Sequence, residues 1–191
     1  MTLHVILLLA TLPLGSASHP VGLDVADSRV RTERRPSADA RFELVEVRPA
    51  TGCVGGALTE CRLPEIRFGD IPESAVCLGS DGLKPLDAIR SSCGYLAVAE
   101  PRTRKGVVLG WTSNVNGCGA FSVRRAADGA VVVTPILDYG PMPAGTPVVE
   151  PDVFVVGRFD DCRLGLDVLA YCFARLRREE RKCPDNSRRA S

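Results

Sequence analysis

Eight cysteines carry the most evident chemistry in this chain: Cys53, Cys61, Cys77, Cys93, Cys118, Cys162, Cys172 and Cys183. Thiols can pair, bind metal or act as nucleophiles, and their spacing sorts these uses. Zinc sites are built from close pairs such as C-x2-C, whereas the shortest gap here runs from Cys53 to Cys61, so no metal is expected. Histidine supplies an exclusion, because the only two are His4 and His19 at the N-terminus. A folded region without histidine holds no Ser/His/Asp or Cys/His catalytic set. A two-carboxylate glycosidase remains open, but nothing singles one pair out from the 23 acidic residues. The expectation is a protein that is not an enzyme and carries no cofactor.

Met1 to Ser18 explains how the cysteines would be used. An apolar run from Leu3 to Leu14 is followed by small residues, with Ala17 and Ser18 as cleavage positions, which is the layout of a secretory signal peptide. The run is too short for the bilayer core of about 30 Å, and no later stretch reads as a membrane span. The protein is therefore expected to be secreted and extracellular, where oxidising export favours cysteine pairing. Eight cysteines then mean four disulfides, with roughly a hundred possible connectivities and none assigned.

The formal net charge of +1 hides an asymmetry. Between Ala126 and Ala174 stand Asp128, Asp138, Glu150, Asp152, Asp160, Asp161 and Asp167, opposed only by Arg158 and Arg163. As a set, these acids are the candidate ligand-binding residues, suited to a basic partner. The run from Arg175 to Arg189 is basic and has two readings, a solvated helix end or a patch for cell-surface glycosaminoglycan. Aromatic residues make up 5%, too few to interleave with cations in a nucleic-acid groove.

Strands must position these groups. Residues 19–40 read as a flexible lead-in, 41–183 as one domain and 184–191 as a basic tail. RFELVEVR, EIRFGDI, CGYLAVAE, GVVLGWT, GAFSVRR, GAVVVTPIL and PDVFVVGRF have strand character, and Asp128-Gly129 is a hairpin signal. SDGLKPLDAIRSS reads as a short helix, with Pro85 in its first turn. Strands at such intervals, with one or two short helices, describe a mostly β, disulfide-stapled two-sheet β-sandwich. Trp111, at the end of VVLGWT, reads as a core residue. Residues 162–176 fit both periods: Cys162, Leu166, Leu169, Phe173 and Leu176 form a helical stripe, and Leu164, Leu166, Val168, Ala170 and Cys172 a strand face.

The order of DAIRSSC, VVLG and DDC-x9-C, between Leu86 and Leu176, resembles the secreted poxvirus immune-evasion family. Its members include viral CC-chemokine inhibitors, chemokine-binding domains of viral tumour-necrosis-factor receptors, and the parapoxvirus inhibitor of GM-CSF and interleukin-2. The resemblance implies a β-sandwich in which Arg163 to Tyr171 is a core strand bounded by two disulfides, with a short basic helix from about Cys172 to Arg181. It also implies a decoy that sequesters a host cytokine, a chemokine above all, and blocks receptor contact. The alternatives are a related module for a GM-CSF- or interleukin-2-type cytokine or for glycosaminoglycan, a secreted structural or virion-associated protein, and lastly an extracellular hydrolase. The chain departs from the family's chemokine binders in its near-neutral charge and lack of a long acidic loop.

Overall fold

The computed structural model of the chain describes residues 29–37, 41–56, 58–89, 91–113 and 115–180. The expected signal peptide, Cys183 and the tail lie outside them, as does the side chain of Cys172. In chain order the strands are β1 (Val30–Pro36), β2 (Phe42–Pro49), β3 (Cys53–Val54), β4 (Glu60–Arg62), β5 (Ile66–Phe68), β6 (Val76–Gly79) and β7 (Gly82–Pro85). Next come β8 (Ser91–Cys93), β9 (Tyr95–Ala99), β10 (Gly106–Ser113), β11 (Cys118–Arg125), β12 (Val131–Asp138), β13 (Thr146–Pro147) and β14 (Asp152–Phe159), followed by helix α1 (Cys162–Glu180).

Two antiparallel sheets form the expected β-sandwich. The larger has the order β1-β2-β14-β10-β9-β6-β7, and the smaller β4-β12-β11-β8, with β5 also on β12. Alternation along the strands decides which side chains meet. Val107, Leu109 and Trp111 of β10 point inward, as do Phe121 and Val123 of β11 and Val131, Val133 and Leu137 of β12. Trp111 sits at the centre, 1% exposed, with ring centroids 5.1 Å from Phe154 and 6.0 Å from Phe121. Its indole N–H donates to the Ala120 carbonyl (3.2 Å). Burying one such side chain contributes about 1.5–3 kcal/mol, against about 0–1 kcal/mol for an exposed ion pair, so this core holds the sheets together.

The Asp128-Gly129 hairpin forms as expected. β11 and β12 pair in unbroken register from Cys118–Asp138 to Arg125–Val131, and Gly129 supplies the positive φ of 85° that the turn requires.

Three expectations are corrected. The segment Arg163 to Tyr171 is helical, not a core strand, and α1 lies on the outer face of the large sheet. Cys162, Gly165 and Leu169 are buried there, while Leu164 is 55% exposed; a strand would have put Leu164 and Leu166 on one face. Asp161 starts the helix, accepting from the Arg163 backbone N–H (3.0 Å). Two glycines permit the close approach: a Cβ on Gly110 would lie 2.5 Å from Leu169, and one on Gly165 2.7 Å from the Phe159 ring.

SDGLKPLDAIRSS holds only one 3-10 turn, Leu86–Ala88, between strands β7 and β8. Its helical spacing yields to Ser92, which is 1% exposed and bonded through Oγ to the Ser80 N–H (2.8 Å) and the Tyr95 carbonyl (2.5 Å). Within the expected lead-in, Val30–Pro36 forms an edge strand in register with β2, tied by Arg34–Glu43 (3.3 Å) and Arg35–Glu46 (3.0 Å).

Candidate functional site

β14 carries the chain from Asp152 at one end of the sandwich to Phe159 at the other, about 23 Å away. The seven candidate acids divide along this axis. Asp138, Glu150 and Asp152 lie at the first end, with loop 115–117 between β10 and β11. Asp128, Asp160 and Asp161 lie at the opposite end, and Asp167 is exposed on α1. The single acidic face expected from their sequence clustering does not form.

At the opposite end the acids are matched by the chain's own cations. Asp128 meets Arg67 at 2.7 Å and Asp160 meets Lys105 at 3.5 Å. Asp161 lies between Arg163 (2.7 Å) and Arg104 (3.0 Å), and hydrogen bonding to Arg163 first, then the second guanidinium, holds its carboxyl far below the usual range. Nearby, Arg158 stacks 5.2 Å from the centroid of the Phe68 ring while pairing with Asp70. Arg104 also adopts a φ of 63°, a region that side-chain-bearing residues enter seldom, and its carbonyl accepts the Cys162 N–H (2.9 Å).

The first end, here called the tip, is built differently. Asp152 is fully buried, and its carboxylate accepts from the Asn116 backbone N–H (3.1 Å) and from Asn116 Nδ2 (3.0 Å). Nδ2 also donates to the Glu150 carbonyl (2.8 Å). One asparagine thus ties loop 115–117 to the entry of β14. Burial pushes the Asp152 carboxyl up from its ordinary value, opposed by these hydrogen bonds. Behind it the buried Tyr139 phenol is also pushed up, by burial first and by Cys61 and Asp152 in addition. Loop 139–151 is anchored as well: Val148 N–H donates to Gly52 (2.8 Å), Arg48 Nη1 to the Val149 carbonyl (3.2 Å), and Met142 packs on the core.

On these fixed loops two apolar side chains face solvent. Val149 is 82% exposed and Val115 59%. Beside them Asp138 and Glu150 are exposed, and among the described residues neither is in an ion pair. Asp138 stands directly opposite Glu60 in the β4–β12 ladder, a like-charge facing pair that costs stability; Glu60 is held by Arg62 at 3.6 Å. Sequence reasoning missed Val115, Val149, Asn116 and Glu60. Isolated valines in loops carry no periodic signal, and the Glu60 pairing depends on register.

Among the described cysteines Cys61 lies inside the tip, its Sγ 3.7 Å from the Leu137 carbonyl. Cys53, Cys77, Cys93, Cys118 and Cys162 carry thiols here, with no disulfide among them. Burial pushes the Cys77 thiol up to about 12, and burial with the Asp161 charge pushes Cys162 up to about 11. The expected bridges bounding 163–171 are not shown at Cys162, and the side chain of Cys172 lies outside the described residues. Among the described residues no group of His, Cys, Asp and Glu is arranged to hold a metal ion, and no helix is long and apolar enough to cross a membrane.

The fold and site define a β-sandwich with preorganised surface loops. Comparison with known protein families and with curated proteins finds no match.

Proposed function

We propose that this protein is a secreted binding module that captures a host cytokine, a basic chemokine above all, on the tip and so blocks its receptor-binding surface. The observation that carries this reading is the exposure of Val115 and Val149 on loops locked by Asn116 and Asp152. Apolar contacts give affinity only after ordering costs are met, and loops already held in place reduce those costs. Asp138 and Glu150, which pair with no cation among the described residues, would meet lysines or arginines of the ligand and speed encounter. The order of DAIRSSC, VVLG and DDC-x9-C supports the same reading through its resemblance to the poxvirus decoys.

Surface plasmon resonance of the full secreted chain against chemokines, GM-CSF and interleukin-2 tests it. Binding at or below about micromolar Kd is expected for at least one chemokine, with Val149→Asp weakening it at least tenfold; loss of about 1.4 kcal/mol corresponds to that factor. Folding stability of this variant should stay within about 0.5 kcal/mol, as for an exposed site. Binding to no member of the panel would sink the decoy reading, and binding indifferent to Val149 and Val115 would sink the tip.

A further inference from the structure

Cys93 and Cys118 are exposed, whereas the other cysteines whose side chains are described are buried or half-buried. In the β8–β11 ladder Cys93 faces Ala120, so Cys118 stands one diagonal step away on the neighbouring strand. Both point to the outer face, because Ser92, Gly119 and Phe121 turn inward. The Gly94 N–H bond to the Gly119 carbonyl (3.0 Å) makes 94/119 the hydrogen-bonded pair. Cys93 and Ala120 therefore form the alternate, closer kind of pair. Diagonal neighbours lie about 7–8 Å apart, less at Cβ, and a disulfide takes Cα separations up to about 6.8 Å. The difference is small for β8, a three-residue edge strand whose chain turns away at Gly94 with φ 76°.

We propose that Cys93 and Cys118 close into a cross-strand disulfide on the outer face of the smaller sheet. The oxidant is a small disulfide of the glutathione class. One protein thiol loses its proton and attacks a glutathione sulfur, releasing a glutathione thiolate; the second protein thiolate then displaces the other glutathione. Two glutathione thiols form for each protein disulfide, so atoms and electrons balance. In the folded chain Cys77 and Cys162 are buried, away from a soluble oxidant, whereas Cys93 and Cys118 face solvent. The bond would tie the exit of loop 115–117 to the sheet edge.

The test uses the folded full chain, reduced, equilibrated with glutathione disulfide, alkylated, and digested with trypsin without reductant. Mass spectrometry should find the peptide Ser91–Arg102 joined to Gly106–Arg124, each carrying one cysteine, and reductant should separate them. Recovery of Cys93 and Cys118 alkylated, capped by glutathione, or joined to other cysteines would overturn the pairing. In a Cys93→Ser variant Cys118 should appear alkylated or as its glutathione adduct. Its appearance in a bridge to another protein cysteine would overturn the proposal equally. None of these outcomes depends on what the tip binds.

Discussion

The two ends of the sandwich use carboxylates in opposite ways. At the α1 end Asp161 is half-buried between two guanidiniums and stays ionised well into acid. At the tip Asp152 is buried, and loss of solvent disfavours its charge while Asn116 holds it in place. The first acid starts a helix, and the second fixes a loop. The contrast shows why the acidic count between Ala126 and Ala174 misleads. Most of those charges are used within the fold, and of these acids only Asp138 and Glu150 reach the tip surface with no ion pair among the described residues.

Removing each carboxylate should expose the difference most strongly. Asp152→Ala leaves a cavity at the buried Asp152 position and the half-buried Asn116 backbone N–H without its carboxylate acceptor, and is expected to cost about 2–3 kcal/mol in urea denaturation. It should also abolish ligand capture through disorder of loop 115–117. Asp161→Ala removes a helix cap and surface ion pairs and is expected to cost about 1 kcal/mol, with ligand capture unchanged. Equal costs, or lost capture in Asp161→Ala, would erase the distinction between the ends.

Acid separates the ends in sign. The Asp161 carboxyl is held below its ordinary value of 3.8, so its contribution is present above about pH 4 and is lost as pH falls below that value. The Asp152 carboxyl is raised, so its contribution runs the other way: present below its unfolded value and lost as pH rises through the raised one. Thermal melts between pH 2 and 6, in steps of about half a unit, should therefore show a shallower acid loss for Asp161→Asn than for the parent chain. Asp152→Asn should instead remove a gain in stability on mild acidification. Parallel curves for both variants would mean that neither shift is set by the partners seen here.

Much of the sandwich was legible, and the failures have physical causes. GAVVVTPIL and PDVFVVGRF read as strands because both faces of each are largely covered, by the core on one side and by neighbouring chain or α1 on the other. VRTERRP did not read as a strand, since β1 sits at an edge and is exposed along all but Val30; its pairing rests on cross-strand charge as well as backbone bonds. Residues 162–176 satisfied both periods, and the deciding signal was the Asp160-Asp161 pair before Cys162, a cap placed where a strand has no use for one. The tip was partly legible. Asp138, Glu150 and Asp152 stood among the candidates, but a strand of eight residues, β14, carries Asp160 and Asp161 to the far end, which adjacency in sequence conceals.

The smallest effect bears most directly on the tip as a binding surface. Asp138 faces Glu60 across the β4–β12 ladder, and no cation among the described residues pairs with it. A like-charged facing pair is unfavourable by a few tenths of a kcal/mol, about 0.2–1 by the usual range of cross-strand pairs. Asp138→Asn keeps an oxygen able to accept the Gly140 N–H that Asp138 Oδ1 now accepts at 2.8 Å, so the turn survives while the repulsion is relieved. The variant should therefore be slightly more stable in urea denaturation, and association with a basic ligand should slow about two- to fivefold at low salt, with a flatter salt dependence. A gain in stability with an unchanged on-rate would leave the charge at position 138 without a role in encounter. A loss of stability would show that the facing carboxylates are compensated by a contact stronger than their repulsion.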